Sequence, residues 1–277
     1  MSYKTILVHI DHGANAEERM RHAARLAVVF GAHLIGSAFA DGRRRHHGDG
    51  VGVSVVQRPA PPDAATLARY NANALARFEA IAAGEGVSSV ERRLMDDDTA
   101  AGMALQARYA DLVVVGQTDP NEPASAELIG GLPEQVVLDG GRPVLIIPHA
   151  ARFALVGSKV LLAWDGSLEA TRTVFNALPL LRRATMVTVA VFTRPGGGRD
   201  PGADLGLYLA RHGVSCEVRV DVTPLRTGEL LIGLAKYLKA DLLVMGGYGH
   251  ARFREIMLGG VTETVLGDMS LPVLMSH

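Results

Sequence analysis

The residues of this chain best suited to hold an anion follow an apolar run near its C-terminal end. Leu242–Met245 leads into Gly246-Gly247-Tyr248-Gly249, and Gly259-Gly260-Val261-Thr262 opens a helical stretch a few residues later. Glycines at such positions let the backbone approach a ligand closely, and the free N–H groups of a helix start favour negative charge. An earlier apolar run, Val160–Trp164, ends in Asp165, whose carboxylate can accept hydrogen bonds from a ribose hydroxyl or an adenine amino group. Each part has a plainer reading by itself. Glycine after a strand is turn punctuation, and Asp before a helix is an N-cap. Two glycine groups, a carboxylate and a helix start that meet at one sheet edge are the parts of a mononucleotide site.

Other chemically capable residues carry less. His46-His47 with Asp49 has metal-ligand types, but an Arg- and Gly-rich loop gives no fixed geometry and reads as solvated. His9 and His12 straddle the end of an apolar run and read as core or rim packing. His250, Arg252 and Arg254 read either as phosphate contacts or as a solvated cationic stretch. Asp96-Asp97-Asp98 before Thr99 resembles the charge cluster of a helix N-terminus. Cys216, in an apolar strand pattern, reads as inert. No Ser-His-Asp or Cys-His constellation follows from spacing, and neither a Mg²⁺ carboxylate pair nor a general base for phosphoryl transfer stands out.

For the glycines, the carboxylate and the helix start to meet, the chain must present strand ends side by side, and an internal repeat indicates how. Lys4–Asp11 resembles Lys159–Asp165, both apolar runs ending in Asp before a Gly-containing turn. Asp111–Gly116 (DLVVVG) matches Asp241–Gly246 (DLLVMG), Gly130-Gly131 matches Gly259-Gly260, and Pro143–Ile146 matches Pro272–Met275, at offsets of 129 or 130 positions. Anchors recurring in one order mark a tandem duplication. The first copy is longer by about 24 residues, and the Gly-, Pro-, Arg- and His-rich stretch at about 41–64 reads as the inserted surface loop. The copies are expected at 1–150 and 157–277, with the linker near 149–158.

The second copy alternates apolar runs at Val160–Trp164, Met186–Phe192, Cys216–Val222, Leu242–Met245 and Val273–Met275 with helical stretches at Leu168–Leu181, Ala203–His212, Gly228–Lys239 and Gly260–Asp268. The runs read as parallel strands buried on both faces. Alternation of this kind predicts a doubly wound α/β domain, whose ligands bind beyond the strand C-termini where strand order reverses. The last strand of each copy, Pro143–Ile147 and Pro272–Met275, is an apolar edge that invites pairing of the copies with each other.

Composition narrows the classes. The 277 residues carry 28 Lys+Arg against 29 Asp+Glu, a net charge of −1, so no basic field for nucleic acid is present. One cysteine excludes an intrachain disulfide and a multi-cysteine metal site. The longest apolar stretch, 23–40, is broken by Arg25 and His33, and the first residues are too short an apolar region for a signal peptide. The expectation is a soluble cytoplasmic protein with no membrane partner.

The spacing Gly-x2-Gly-x9-Gly, filled by Gly246, Gly249 and Gly259, resembles the nucleotide-binding signature of the universal stress protein family. Leu242–Gly246 before it, the segment 247–255 within it and Pro272–Met275 after it agree with that resemblance, which extends over the chain as two such domains. It implies two Rossmann-like (adenine nucleotide α-hydrolase-like) domains, each a five-stranded parallel sheet with helices on both faces. It implies ATP, or ADP or AMP, held between the first and fourth strands of the second copy, with Mg²⁺ as a companion of the phosphates. The residues so implicated are Asp165 and Ala163 at the nucleoside, Phe192 facing adenine, and Met245, Gly246, Gly249, His250, Gly259, Gly260, Val261 and Thr262 around ribose and phosphates. Gly260 stands where the family pattern has Ser or Thr, so one hydroxyl donor, worth about 1.5–3 kcal/mol at most, is lost. Thr262 is a substitute one residue further on. In the first copy Gly116 remains, but Asp119 replaces the second glycine, Gly130 follows one residue late and Pro133 interrupts the helix start. That copy reads as a degenerate site with a structural role.

The leading expectation is therefore a nucleotide-responsive stress or regulatory module with slow hydrolysis at most. Its rivals are an interaction protein with two empty clefts and an α/β nucleotidyl transferase or hydrolase using the same cleft. Family members resemble dimers joined at the last strand, so the copies are expected to form an intrachain pseudo-dimer, to which a homodimer of chains could be added.

Overall fold

Asp111 and Asp241 open the repeated Asp-Leu-x-Val-x-Gly segments, and their hydrogen bonds explain why the acid recurs. Asp111 Oδ2 accepts the N–H groups of Lys4 (2.7 Å) and Thr5 (3.0 Å). Asp241 accepts those of Gly157, Ser158 and Lys159 at 2.9–3.1 Å. Each carboxylate satisfies donors left over where the first strand of its copy begins. Burial nevertheless raises the Asp241 carboxyl above its ordinary value, against the pull of those three N–H groups.

The computed structural model describes residues 2–40, 63–96, 98–118, 131–149, 156–193, 202–222, 227–249 and 260–277. The first copy runs β1 (Thr5–His9), α1 (Ala16–Phe30), β2 (His33–Phe39), α2 (Ala64–Glu85), β3 (Val90–Met95), α3 (Thr99–Ala107), β4 (Leu112–Gly116), α4 (Leu132–Asp139) and β5 (Val144–Ile147). The second runs β6 (Lys159–Ala163), α5 (Leu168–Leu181), β7 (Met186–Thr193), α6 (Gly202–Arg211), β8 (Glu217–Val222), α7 (Thr227–Leu238), β9 (Leu242–Gly246), α8 (Gly260–Asp268) and β10 (Val273–Ser276).

Helix starts follow from local chemistry. Asp98 accepts from the N–H groups of Ala100 and Ala101 and so caps α3. Asp63 caps α2 through Thr66 N–H at 2.7 Å, which places a helix at the end of the expected insertion. The rest of that insertion, with His46, His47 and Asp49, lies outside the described residues.

Within each copy all strand pairs are parallel. β1 lies between β2 and β4, and β6 lies between β7 and β9. The copies join where β5 and β10 run antiparallel, with Val273 opposite Ile146 and Met275 opposite Val144. The result is one ten-stranded sheet, ordered β3-β2-β1-β4-β5-β10-β9-β6-β7-β8. Both joining strands are buried throughout, so two apolar edges are removed from water at once. Residues of α1, α2, α5 and α6 such as Met20, Phe78, Val174 and Leu209 fill one face of the sheet. Met103, Val136, Leu231 and Val265, from α3, α4, α7 and α8, fill the other.

One strand departs from its expected burial. Cys216–Val222 reads as buried on both faces, but β8 is one of the sheet's two outer strands and, among the described residues, pairs only with β7. Glu217 and Asp221 are exposed, and Val220 keeps 42% of its surface in water. Charges on an outer strand blunt it against pairing with another chain. Cys216 just precedes β8, half-buried, and burial pushes its thiol pKa up, away from the reactive thiolate. No helix among the described residues is long and apolar enough to cross a membrane.

Candidate functional site

In the second copy β6 and β9 are adjacent and their onward neighbours lie to opposite sides, so strand order reverses between their C-terminal ends. That crevice is where an open parallel sheet receives a ligand. Asp165, exposed, follows β6 by two residues, and its Oδ1 accepts the Ser167 N–H at 2.9 Å. Ser167 Oγ in turn accepts the Ala170 N–H at 3.1 Å and caps α5. The strand end, the Asp turn and the first helix are thereby fixed as one unit.

The glycine turn packs directly on that unit. A Cβ at Gly246 would stand 2.6 Å from Ala170 N and 2.9 Å from the Glu169 carbonyl carbon, so β9 meets the backbone of α5 with room only for glycine. A Cβ at Gly249 would lie 3.1 Å from Glu169 Oε2 and 3.8 Å from Ser167 Oγ. Between them Tyr248 adopts φ +59°, and its N–H donates to Thr262 Oγ1 at 3.4 Å, joining the turn to the first turn of α8.

Asp165, Gly246, Gly249, Gly260, Val261 and Thr262 therefore gather at one sheet edge. Ala163, Phe192 and Val261 are partly buried against one apolar cluster, on the face covered by α7 and α8. Two expected contacts are altered. The Met245 side chain is buried in that core, leaving only its backbone at the edge. The Thr262 hydroxyl, offered by the sequence as a substitute phosphate donor, is buried and turned toward Tyr248 N–H. His250 and Gly259, with Arg252 and Arg254, lie outside the described residues.

In the corresponding crevice of the first copy Arg19 lies between the carboxylate and the last glycine of β4. Arg19, on the first turn of α1, donates from Nε to the His9 carbonyl at 2.9 Å and sets a terminal nitrogen 2.8 Å from Asp11 Oδ2. Its other terminal nitrogen lies against Gly116, where a Cβ would stand. Asp11 Oδ1 accepts the Gly13 N–H at 3.0 Å, the same turn that Asp165 makes. His9 Nδ1 stands 3.3 Å from Asp11 Oδ2, off the direction of a hydrogen bond. The remaining cavity, bounded by His9, Asp11, Arg19, Gly116, Gln117, Thr118 and His149, measures about 50 Å³. By the repeat, Thr173 takes the place of Arg19 and Ala163 that of His9. Thr173 donates its hydroxyl to the Glu169 carbonyl at 2.7 Å, and no cation reaches Asp165 among the described residues.

Electrostatics follow from this packing. Burial favours the neutral form of Asp11, but Arg19, His9 and the Gly13 N–H more than offset it and hold the carboxyl well below its usual range. Burial lowers the pKa of His9 below 6.5 against the pull of Asp11, and Arg19 adds to that lowering. His22 is lowered in the same way, against Glu18. Both imidazoles therefore resist protonation more in the fold than in the unfolded chain, where they take a proton as pH falls through 6.5. Stability is therefore expected to drop between pH 7 and 5, by up to about 1.4 kcal/mol per pH unit for each histidine. Calorimetric melting across that window measures it, and His22→Gln should flatten the slope. A melting temperature that rises toward pH 5 would contradict the assignment.

Residues of the first copy also reach the second copy's site. A Cβ at Gly247 would stand 3.2 Å from Val137 of α4. Glu134, also on α4, has its carboxyl pKa raised by burial, and its Oε2 makes no hydrogen bond. Burial pushes the Tyr248 phenol up, and the Glu134 and Glu263 carboxylates push it further. Gln117, directly after β4, donates from Nε2 to the carbonyls of Leu266 (2.7 Å) and Gly267 (3.2 Å) at the end of α8. Neither Arg19 nor Gln117 stands out in the sequence. Laying Arg19 over Thr173 across the repeat is the signal that finds the first, and nothing local marks the second.

A model described as the universal stress protein family matches residues 2–148 and again 158–277. A universal stress protein of Synechocystis sp. is 26% identical over 169 residues, which span 59% of this chain and 57% of its own length, so the chain matches little more than half of that relative. The solved structure of a universal stress protein from Archaeoglobus fulgidus superimposes with a TM-score of 0.73 at 15% identity, covering 98% of this chain and 94% of the other. A structure from Pseudomonas aeruginosa gives 0.58 at 18% identity, covering 98% and 92%. At these identities the structural likeness is one of fold.

Proposed function

Since the chain belongs to the universal stress protein family and carries its domain twice, we propose that it binds one adenine nucleotide, ATP or its ADP or AMP product, at the β6–β9 crevice. The carrying observation is the contrast between the copies. The first copy's carboxylate is neutralised by Arg19 inside its own crevice. The second copy's carboxylate, Asp165, is exposed beside a glycine turn and the start of α8. Asp165 accepts from ribose or adenine, the turn from Gly246 to Gly249 admits the phosphates, and the N–H groups opening α8 face their charge. Mg²⁺ would accompany the phosphates as their counter-ion, since the described residues offer no cluster of protein ligands for it. The module acts in the cytoplasm by changing state with its nucleotide, with slow hydrolysis at most.

Thermal unfolding of the full chain tests this. Nucleotide at 100 times its dissociation constant should stabilise the fold by about 2.7 kcal/mol, and Asp165→Ala should remove most of that gain at the same concentration. No stabilisation by ATP, ADP or AMP would overturn the proposal. Function would then pass to protein contacts made by two empty clefts, a reading that Gly260 and the inward-turned Thr262 hydroxyl favour.

A further inference from the structure

We propose that Gln117 of the first copy is a positioning residue for the nucleotide site of the second, acting through α8. The inference rests on the reading above, in which the N-terminal end of α8 faces the phosphates. α8 has nine residues, so its ends are only about 13 Å apart. Its N-terminal end is tied to the glycine turn of its own copy through Tyr248 N–H and Thr262 Oγ1. Its other end leaves carbonyls without helical partners, and the Gln117 amide takes two of them, Leu266 and Gly267.

Gln117 is itself held on three sides. Its backbone N–H donates to Ile147 O at 2.8 Å. Its Oε1 accepts the His149 N–H at 3.1 Å and meets His149 Nδ1 at 2.8 Å. With Oε1 facing donors and Nε2 facing carbonyls, the amide has one satisfied orientation. The first copy thus supplies a fixed clamp for the helix that carries the second copy's phosphate contacts. This gives the half whose own carboxylate is paired with Arg19 a direct part in binding.

Three substitutions separate positioning from general packing. Gln117→Ala removes the clamp. Gln117→Glu keeps an acceptor for His149 but sets a charge against the helix's carbonyl end. Gln117→Lys keeps a donor for those carbonyls, as basic side chains at helix C-termini do. ATP affinity of the full chain should fall about five- to tenfold in Gln117→Ala, fall further in Gln117→Glu, and stay within about twofold of the parent in Gln117→Lys. Melting temperatures without nucleotide should remain within a few degrees. Amide exchange in α8 gives a readout that needs no nucleotide. Residues 264–268 should exchange faster in the Ala and Glu variants and at the parental rate in the Lys variant. Parental exchange in all three would overturn the clamp, as would unchanged ATP affinity in Ala and Glu variants of a parent that binds. A parent that binds no ATP while exchange follows the expected order would sink the nucleotide reading and leave the clamp standing.

Discussion

Arg19→Met is expected to destabilise the first copy by about 3–5 kcal/mol, because it leaves the Asp11 carboxylate buried without its cation. The guanidinium makes two polar contacts that methionine cannot make, to the His9 carbonyl and Asp11 Oδ2. For a unit of this size the loss corresponds to roughly 10–20 °C in melting temperature. Arg19→Lys should recover only part of it, since an ammonium cannot span the same planar set of partners. Combining Asp11→Asn with Arg19→Met should restore much of the lost stability, because the uncompensated charge is then gone. Calorimetric melting of the parent, the single variants Asp11→Asn and Arg19→Met, and the double variant completes the cycle. A loss under about 1 kcal/mol in Arg19→Met would mean that the pair is solvated, and that the first crevice is open.

Gly249→Asp is expected to weaken nucleotide binding at least about thirtyfold, or 2 kcal/mol. Its Cβ would arrive 3.1 Å from Glu169 Oε2 and beside Ser167, so the new carboxylate would sit next to an existing one on the path of the phosphates. Two unit charges 4 Å apart interact by about 4 kcal/mol at the effective dielectric of a protein surface, and partial exposure of Glu169 reduces this. Folding should be little affected, since Gly249 is exposed and the nearest atoms to its Cβ among the described residues belong to the side chains of Glu169 and Ser167. The first copy carries Asp119 at the matching place of its motif, so the variant gives the second copy the first copy's residue. Unchanged affinity in Gly249→Asp would mean that nucleotide, if bound, lies elsewhere.

The sequence makes the scaffold legible because its signals are local and repeated. Apolar runs ending in Asp11 and Asp165, the acids Asp111 and Asp241, and the glycines closing β4 and β9 recur in order, and each does at short range what its type suggests. Helices α5 and α8 were expected at the spans they occupy, since Ser167 and the Gly259-Gly260 pair mark their starts. Less legible is whatever depends on how elements turn toward one another. Arg19 follows Asp11 by eight residues, and only the docking of α1 on β1 and β4 returns its guanidinium to that carboxylate. Thr262 looks available in sequence, yet the rotation of α8 turns its hydroxyl to Tyr248. The exposed side of β8, by contrast, is written in the alternation of Glu217, Arg219 and Asp221 with Val218, Val220 and Val222. Gln117 meets Leu266 across 149 positions, a contact created by the antiparallel joining of β5 to β10.

Calorimetric titration of ATP into the full chain and into Gly249→Asp is the most direct test of a single site in the second copy. The expected result is one nucleotide per parent chain and none for the variant at the same concentrations, with both proteins folded. Two nucleotides per chain, one per chain in the variant, or no heat from the parent at millimolar ATP would contradict it.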